Sequence, residues 1–295
     1  MNRANTVYVS LCIAGCCLPA PAQQDFSSVQ IKTTKVAGNV YVLEGSGGNI
    51  GVSVGEDGIL IVDDQYAPLS EKIRAALRAL GHDKPRFILN THWHGDHVGG
   101  NAAFGSDGTI IAHTNVRDRV TTRQVLFGRA VEPLPPVALP VVTFDDAITV
   151  HFNGEPIRLV HYPTAHTDGD SAVFFTKSNV VHTGDLLFMG MFPFVDLDHG
   201  GDVDGLIRAV EDVLRVMSPD ARVIPGHGPV TDRGGLQAFH DMLVDTTGVV
   251  RAGIQAGTSL NEIQATGVPD KWKSWDGGFI KSDQWIETIH KSLSR

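Results

Sequence analysis

Four histidine and aspartate side chains within six positions constrain this chain more than any other feature. The segment follows a short apolar run and reads Thr91-His92-Trp93-His94-Gly95-Asp96-His97. His92 and His94 are two positions apart, so in an extended backbone they point to the same side. Gly95 permits a sharp turn, which brings Asp96 and His97 back toward the same centre. Imidazole and carboxylate groups are ligands for zinc and for iron, so the segment indicates a metal site where a strand ends.

Three further turns place ionisable side chains beside glycine, each after a predicted strand. They lie at residues 164–170, 182–185 and 224–228. Histidines of an ordinary core have little reason to recur in that setting, so these turns are candidates to join the first segment. A lone histidine is more often a surface or core residue than a ligand. We give that interpretation to His113, His151, His161, His199, His240 and His290. Asp168 and Asp170 are more often residues that stabilise a turn.

The hydrophobic pattern alternates between strands and helices twice along the chain. Predicted strands lie at 29–35, 39–43, 50–54, 58–62, 86–90, 109–112, 148–152, 157–160, 172–175, 180–182 and 222–225. Predicted helices lie at 70–80, 206–217, 235–257, 259–265 and 282–293. Residues 128–143, which contain four prolines, are expected to form an extended crossover. The pattern favours an α/β fold of two similar halves, with sheets facing each other inside and helices outside.

The amino terminus is typical of an export signal. Arg3 supplies a positive charge, residues 6–18 are mostly apolar but too short to span a bilayer, and Ala20-Pro21-Ala22 matches a cleavage site. The sequence around Cys16 also resembles a lipoprotein box, so a lipid anchor there is the alternative. We expect residues 1–22 to direct export to the periplasm or outside the cell. Residues 23–295 are expected to form one domain, with 258–295 as a C-terminal helical segment and no transmembrane segment.

Cysteine positions and net charge narrow the chemistry. All three cysteines, Cys12, Cys16 and Cys17, lie in the predicted signal, so the mature chain has no thiol nucleophile or thiolate ligand. Any metal site must therefore use histidine, aspartate or glutamate. A formal net charge of −9 argues against nucleic acid as a partner. A small-molecule substrate is expected instead, and the sequence leaves the oligomeric state open.

The motif and the three turns together resemble the metallo-β-lactamase superfamily of αββα hydrolases, over nearly the whole mature chain. The resemblance implies a four-layer αββα sandwich with mixed sheets inside and helices outside. It implies a first metal held by His92, His94 and His166, and a second held by Asp96, His97 and His227. Asp185 matches the bridging carboxylate of glyoxalase II-like members, whereas true lactamases usually have cysteine or serine there. The ligand set otherwise resembles the lactamase subclass without a cysteine ligand. Asp63 is either a residue that orients a ligand histidine or part of a plain turn.

The resemblance also implies a reaction. Two zinc ions, with iron as the other possible metal, would share a hydroxide that attacks the carbonyl of an amide, lactone, ester or thioester. Asp96 would hold the hydroxide and pass its proton to the leaving group. We therefore expect an exported di-zinc hydrolase, possible β-lactamase activity included. The alternative function is a mononuclear iron sulfur-dioxygenase of the same superfamily.

Three features near this expected site have two interpretations each. Residues 188–194 are apolar and either form a wall for a hydrophobic substrate or close the sheet as a buried loop. The glycine-rich tip at 45–49 is either a mobile flap or a simple hairpin turn. The aromatic residues near the C-terminus either cap the pocket or pack in the core, and core packing is expected for most; they are Trp272, Trp275, Phe279 and Trp285.

Overall fold

Two mixed β-sheets form the centre of the protein in the computed structural model, which describes residues 25–295. The predicted export signal and the lipidation site at Cys16 lie outside the described residues. Strands of the first sheet are β1 (Lys32–Ala37), β2 (Val40–Glu44), β3 (Ile50–Gly55), β4 (Gly58–Val62), β5 (Pro85–Leu89), β6 (Thr109–His113) and β9 (Val142–Phe144). Strands β1 to β4 pair antiparallel, whereas β4, β5, β6 and β9 run parallel. A separate hairpin consists of β7 (Gln124–Leu126) and β8 (Arg129–Val131).

The second sheet has six strands and the same mixed character. They are β10 (Ala147–Phe152), β11 (Glu155–His161), β12 (Ser171–Phe175), β13 (Val180–His182), β14 (Arg222–Ile224) and β15 (Thr231–Asp232). Neighbouring strands pair antiparallel except β13 and β14, which are parallel. Parallel strands place their carboxyl ends at one edge, and the loops after β13 and β14 therefore leave the sheet side by side.

Helices connect the strands of both sheets, and the longer ones cover the outer faces. They are α1 (Ser70–Ala79), α2 (Gly95–Val98), α3 (Asn101–Phe104), α4 (Thr114–Thr121), α5 (Val203–Val216), α6 (Arg233–Gln255), α7 (Leu260–Thr266) and α8 (Ser282–Leu293). Local signals explain where several begin. The carboxylate of Asp202 accepts a hydrogen bond from the Gly205 backbone and caps α5, and Ser259 with Glu262 forms the capping box of α7.

Three apolar clusters show the order of the layers. One lies between the sheets and includes Val42, Leu60, Leu89, Leu159 and Val173. A second packs α1 and α3 on the outer face of the first sheet, and a third packs α5, α6 and α8 on the outer face of the second. Each fully buried aliphatic side chain contributes about 1.5–3 kcal/mol to folding. The clusters therefore hold together a four-layer αββα sandwich, which confirms the predicted fold.

The segment between β6 and β9 differs from its prediction. Residues 128–143 are not a simple extended crossover, because β8 pairs with β7 in a hairpin, and α4 precedes that hairpin. Helix α4 begins where the His113 Nδ1 atom accepts a hydrogen bond from the Asn115 backbone, a cap that the usual list of capping residues omits. The prolines fall after the hairpin.

No helix among residues 25–295 is long and apolar enough to cross a membrane.

Candidate metal centre

Seven polar side chains from four loops converge at one edge of the two sheets. The loop after β5 supplies four of them, and the loops after β11, β13 and β14 supply one each. They are His92, His94, Asp96, His97, His166, Asp185 and His227. The structure thus brings together every residue that the sequence assigned to the two metal positions. Asp96 and His97 lie on the single turn of α2, which begins at Gly95.

A first cluster contains three imidazoles and one carboxylate. The candidate ligand atoms of His92, His94, His166 and Asp185 all lie within 4.8 Å of one another. The His94 Nδ1 atom is 3.1 Å from His92 Nε2 and 2.9 Å from His166 Nε2. All four side chains are buried. The geometry is that of a closed nitrogen-rich site with a carboxylate on one side.

A second cluster contains Asp96, His97 and His227. The His227 Nε2 atom is 3.3 Å from Asp96 Oδ2, and His97 Nε2 is 3.7 Å from the same oxygen. His97 is fully buried, whereas the side chains of Asp96 and His227 are 21% and 23% exposed. This cluster therefore forms the solvent-facing side of the centre.

The Asp185 carboxylate lies between the two clusters. Its Oδ2 atom is 3.4 Å from both His166 Nε2 and His227 Nε2, and its Oδ1 atom is 3.1 Å from His97 Nε2. Gly226 makes room for it, because a Cβ atom at that position would lie 2.0 Å from Asp185 Oδ1. One carboxylate thus faces both sets of ligands.

Four of the imidazoles bind fixed acceptors through the ring nitrogen that points away from the centre. These pairs are His92 Nδ1 with Thr91 Oγ1 at 3.1 Å, His94 Nε2 with Asp196 Oδ2 at 2.9 Å, His97 Nδ1 with Asp63 Oδ2 at 2.7 Å, and His166 Nδ1 with the Phe194 carbonyl at 2.7 Å. A neutral imidazole has one N–H group, and here each outer acceptor takes it. The inner nitrogens of His92, His94 and His166 therefore present lone pairs to one another.

Such an arrangement fits divalent cations. Facing lone pairs at about 3 Å repel each other unless a positive charge lies between them. His97 Nε2 and Asp185 Oδ1 are buried and have no hydrogen-bond partner among the described residues. Nitrogen and carboxylate donors without thiolate are suited to zinc and to iron. The seven residues consequently fit two cations held by an all-His/Asp donor set.

The charge states of the metal-free chain differ between the clusters. Burial lowers the pKa of His166 to about 4 and holds the pKa of His92 well below its ordinary value. Burial also acts to lower the pKa of His97 and His227, but the nearby carboxylates, Asp185 first and then Asp96, outweigh it. As a result the pKa of His97 is well above its ordinary value and the pKa of His227 is about 9. His92 and His166 are thus neutral imidazoles at pH 7, ready to coordinate.

A family model described as the metallo-beta-lactamase superfamily matches residues 33–227. The chain belongs to the metallo-β-lactamase superfamily. An uncharacterized protein of Aquifex aeolicus is 28% identical over 173 residues, which cover 58% of this chain and 80% of that protein. The metallo-beta-lactamase type 2 of Bacteroides fragilis is 27% identical over 157 residues, which cover 53% of this chain and 57% of that enzyme.

Solved structures of the superfamily share the fold. The crystal structure of the DIM-1 metallo-beta-lactamase aligns with a TM-score of 0.61 at 19% identity, over 73% of this chain and 98% of that one. At this identity the likeness establishes the αββα fold and leaves the substrate undetermined. The chain is therefore hydrolase-like in family and fold, and it carries the His/Asp cluster of a metal-binding member.

Two aspartates position the histidines of this superfamily member. Asp63, which the sequence offered as an orienting residue or a plain turn, accepts from His97 Nδ1 and also from the Thr91 backbone and hydroxyl. Asp196 was not predicted, because it lies 102 residues from His94 in the chain. It also accepts from His199 Nδ1 at 2.8 Å, so His199 has a partner role that a surface or core interpretation missed.

The glycine-rich tip at 45–49 lies directly on the centre. A Cβ atom on Gly48 would be 2.2 Å from His97 Cε1, and the Gly48 N–H donates to the Asp96 carbonyl at 3.1 Å. Asn49 donates from its side chain to the carbonyls of Pro225 and Gly228, on either side of His227. Of the two interpretations, the contacts favour an anchored hairpin turn that forms one wall of the centre.

The apolar segment 188–194 packs partly in the core and partly beside the metal centre, and its role as a wall for a hydrophobic substrate stays a prediction. Phe192 is buried and stacks on Trp285 with ring centroids 6.5 Å apart, which closes the sheet. Phe188 stacks on His227 at 5.0 Å, and the Phe194 ring lies 5.7 Å from that of His94. Phe192 therefore packs in the core, whereas Phe188 and Phe194 lie beside the metal centre. Trp272, Trp275 and Trp285 pack in the core as expected, whereas Phe279 is exposed.

Other residues have structural roles. The Asp170 carboxylate accepts from the Thr167 backbone and hydroxyl and stabilises the turn, as expected. Asp168 pairs with Arg119 at 2.6 Å. His182 uses both ring nitrogens on backbone groups, accepting from Gly184 and donating to Asn49. These residues support the loops without facing the centre.

Proposed function

We propose that the chain is an exported hydrolase that holds two zinc ions and cleaves an amide, lactone, ester or thioester of a small molecule. The observation that carries this proposal is the Asp185 carboxylate, which lies between two complete sets of candidate ligands. A protein with one metal needs only one set. Two sets that share a carboxylate are suited to a pair of metals acting on one substrate.

The seven residues would divide between the ions as their contacts do. His92, His94 and His166 would hold the first ion, and Asp96, His97 and His227 the second, with Asp185 contacting both. When bound, two zinc ions supply Lewis acidity for a carbonyl oxygen and lower the pKa of water toward about 7. No side-chain nucleophile is needed, in keeping with the absence of cysteine from residues 23–295.

Asp96 is the candidate proton carrier. Burial acts to raise its pKa, but the imidazoles of His97 and His227 outweigh burial and lower the pKa of Asp96 to about 2. The carboxylate is thus ionised at neutral pH and lies at the solvent-facing side of the centre. It accepts a proton from the attacking water and delivers it to the leaving group.

Tyr66 is a candidate hydrogen-bond donor that the sequence did not indicate. Burial and the negative charges of Asp96 and Asp185 raise the pKa of Tyr66 to about 12, so its hydroxyl stays protonated. The ring borders the tip next to Asp96, since a Cβ atom on Gly47 would lie 3.2 Å from Tyr66 Cε2 and 2.9 Å from Asp96 Cβ. A protonated hydroxyl there stabilises the oxyanion that develops when a carbonyl is attacked.

The proposed export of the chain bears on which substrates it meets. Residues 1–22 support delivery to the periplasm or outside the cell, with a lipid anchor at Cys16 as the alternative. β-Lactams act outside the cytoplasm, and the Bacteroides fragilis relative is named a metallo-beta-lactamase, so β-lactams belong in the substrate panel. Lactones and thioesters belong in the panel as well, because Asp185 stands where true lactamases usually have cysteine or serine.

Metal analysis of protein purified from its own host tests the proposal most directly. Two zinc ions per chain support it, and one iron per chain with oxygen uptake would establish the sulfur-dioxygenase alternative instead. The zinc-loaded mature chain is then tested on β-lactams, lactones, esters and thioesters beside the Asp96→Ala variant. Hydrolysis by the native chain that the variant lacks supports the assignment. Equal rates in both would overturn it.

A further inference from the structure

Phe127 occupies a strained position at the tip of the β7–β8 hairpin. Its backbone has φ +51° and Gly128 follows with φ +71°, so both residues of this two-residue turn have positive φ. Asn-Gly and Asp-Gly are the pairs that such turns favour, because a bulky side chain is disfavoured there. The Phe127 side chain is nevertheless 60% exposed. Strained backbone of this kind clusters at active sites and ligand-binding segments.

The hairpin does not need Phe127 for packing. Leu126 and Val131, which flank the turn, pack against a small cluster that includes Trp93 and Val116. Burial of these side chains holds the hairpin in place. An exposed phenylalanine adds little apolar burial to the fold, so folding stability does not account for it.

Phe127 instead completes an aromatic surface that reaches the metal centre. Its ring lies 4.7 Å from Phe194 and 5.8 Å, edge-on, from Phe279, which is 73% exposed. The Phe194 ring in turn lies 5.7 Å from His94 and 5.8 Å from His166. We call Phe127, Phe194 and Phe279 the aromatic wall. Three separate segments supply it, and it runs without interruption from the candidate ligands to solvent.

We propose that the aromatic wall binds an apolar acyl, alkyl or aryl substituent that the substrate carries beside its scissile bond. This inference rests on the proposed function, because it places the reacting group at the metal centre. Aromatic faces bind apolar groups by removing their surface from water, and they do so without fixing a hydrogen-bond pattern. The wall therefore selects for the length and bulk of the substituent rather than for polar groups on it.

A homologous series of p-nitrophenyl esters tests the selection on the zinc-loaded chain. We expect kcat/KM to rise by about twofold for each methylene from acetate to octanoate. This factor corresponds to about half of the free energy gained when a methylene is fully buried. Phe127→Asn places a favoured residue in the turn, so the variant stays folded with an unchanged or higher Tm while the rise flattens. Phe279→Ser should flatten it as well. Val216→Thr, on the outer helix α5, is the matched control and keeps the native slope.

Binding of straight-chain carboxylates separates this inference from the proposed function. Calorimetry on the zinc-loaded chain should show octanoate binding more tightly than butyrate, and Phe127→Asn should remove most of the difference. That result supports the aromatic wall even if no ester is hydrolysed. The absence of hydrolysis would then contradict the proposed function and not the aromatic wall. Hydrolysis with no dependence on chain length, together with equal or undetectable binding across the series, overturns the aromatic wall and leaves the proposed function intact. The aromatic wall is equally overturned if the native chain sediments with phosphatidylcholine vesicles, Phe127→Asn abolishes that sedimentation, and the chain-length preference stays unchanged. Phe127 would then contact a lipid surface and not the substrate.

Discussion

The two clusters of the metal centre differ in how firmly hydrogen bonds and burial hold their side chains. In the first, His92, His94 and His166 are buried, and each has its outer nitrogen fixed by a separate acceptor. In the second, His97 alone has such a partner among residues 25–295, and the side chains of Asp96 and His227 are partly exposed to solvent. The first cluster is therefore arranged before any ion arrives, whereas the second keeps an open side where a substrate enters. We expect the first position to bind metal more tightly.

Replacing the carboxylate at the open side should have the largest effect. Asp96→Ala removes a candidate ligand and the proton carrier together, so we expect kcat/KM to fall by at least about 1,000-fold. Circular dichroism should show a folded protein, and metal analysis should show loss from the second position with the first retained. Full activity in this variant would contradict the ligand assignment.

The carboxylate shared by both clusters tests whether they work as a pair. Asp185→Ser shortens the side chain so that it no longer reaches both sets of imidazoles, and we expect a loss of about 100-fold in rate. Metal content should drop from two ions toward one, while circular dichroism should show that the variant stays folded. Unchanged metal content together with an unchanged rate would refute the bridging role.

Substituting the outer acceptors should weaken the clusters one at a time. Asp196→Asn puts an amide group against the N–H groups of His94 and His199, so affinity at the first position should fall by about 10- to 100-fold. Asp63→Asn should do the same at the second position through His97. Competition with a chromogenic chelator measures both affinities. Asp198→Asn, an exposed aspartate close to Asp196, is the control and should bind metal like the native chain.

A third set of imidazoles, outside the centre, should give the smallest effect. His113 and His161 stack with ring centroids 3.5 Å apart, and burial lowers the pKa of both. A folded-state pKa below the unfolded value of about 6.5 means that unfolding takes up protons at acidic pH. Their contribution to stability is therefore complete above about pH 6.5 and is lost as the pH falls below it.

Thermal unfolding of the metal-free chain measures this contribution at about pH 8 and about pH 5.5. We expect His161→Gln to reduce the difference in Tm between the two conditions by a few degrees, because only one ring then resists protonation. His290→Gln, near the C-terminus, should keep the native difference. An unaltered difference in His161→Gln would show that the stacked pair does not set the acid sensitivity.

Local spacing accounts for what the sequence could predict. His92, His94, Asp96 and His97 are adjacent in the chain, and an extended backbone with one sharp turn is enough to aim them at one point. The strand that precedes them was predicted at 86–90 and is Pro85–Leu89, since its apolar run is clear, whereas the single turn of α2 was not predicted. The predicted signal at 1–22 and the single domain at 23–295 stay predictions.

Long-range contacts account for what the sequence could not predict. Asp196 and Tyr66 have no local motif, and their positions beside the centre arise only when distant loops meet. Helix α4 was missed because its capping residue is a histidine and its sequence is largely polar, with Val116 and Val120 as its buried residues. The β7–β8 hairpin was missed because phenylalanine occupies the turn position where asparagine is the usual signal.

Asn49 connects the two halves of the molecule beside the metal centre. It lies in the turn between β2 and β3 of the first sheet, and its side chain donates to backbone carbonyls on both sides of His227 in the second half, at 3.0 and 2.8 Å. The candidate ligands straddle the same line, four from one half and three from the other. A cation held there would connect the two halves. Removing it with a chelator should therefore lower the thermal unfolding temperature of the protein.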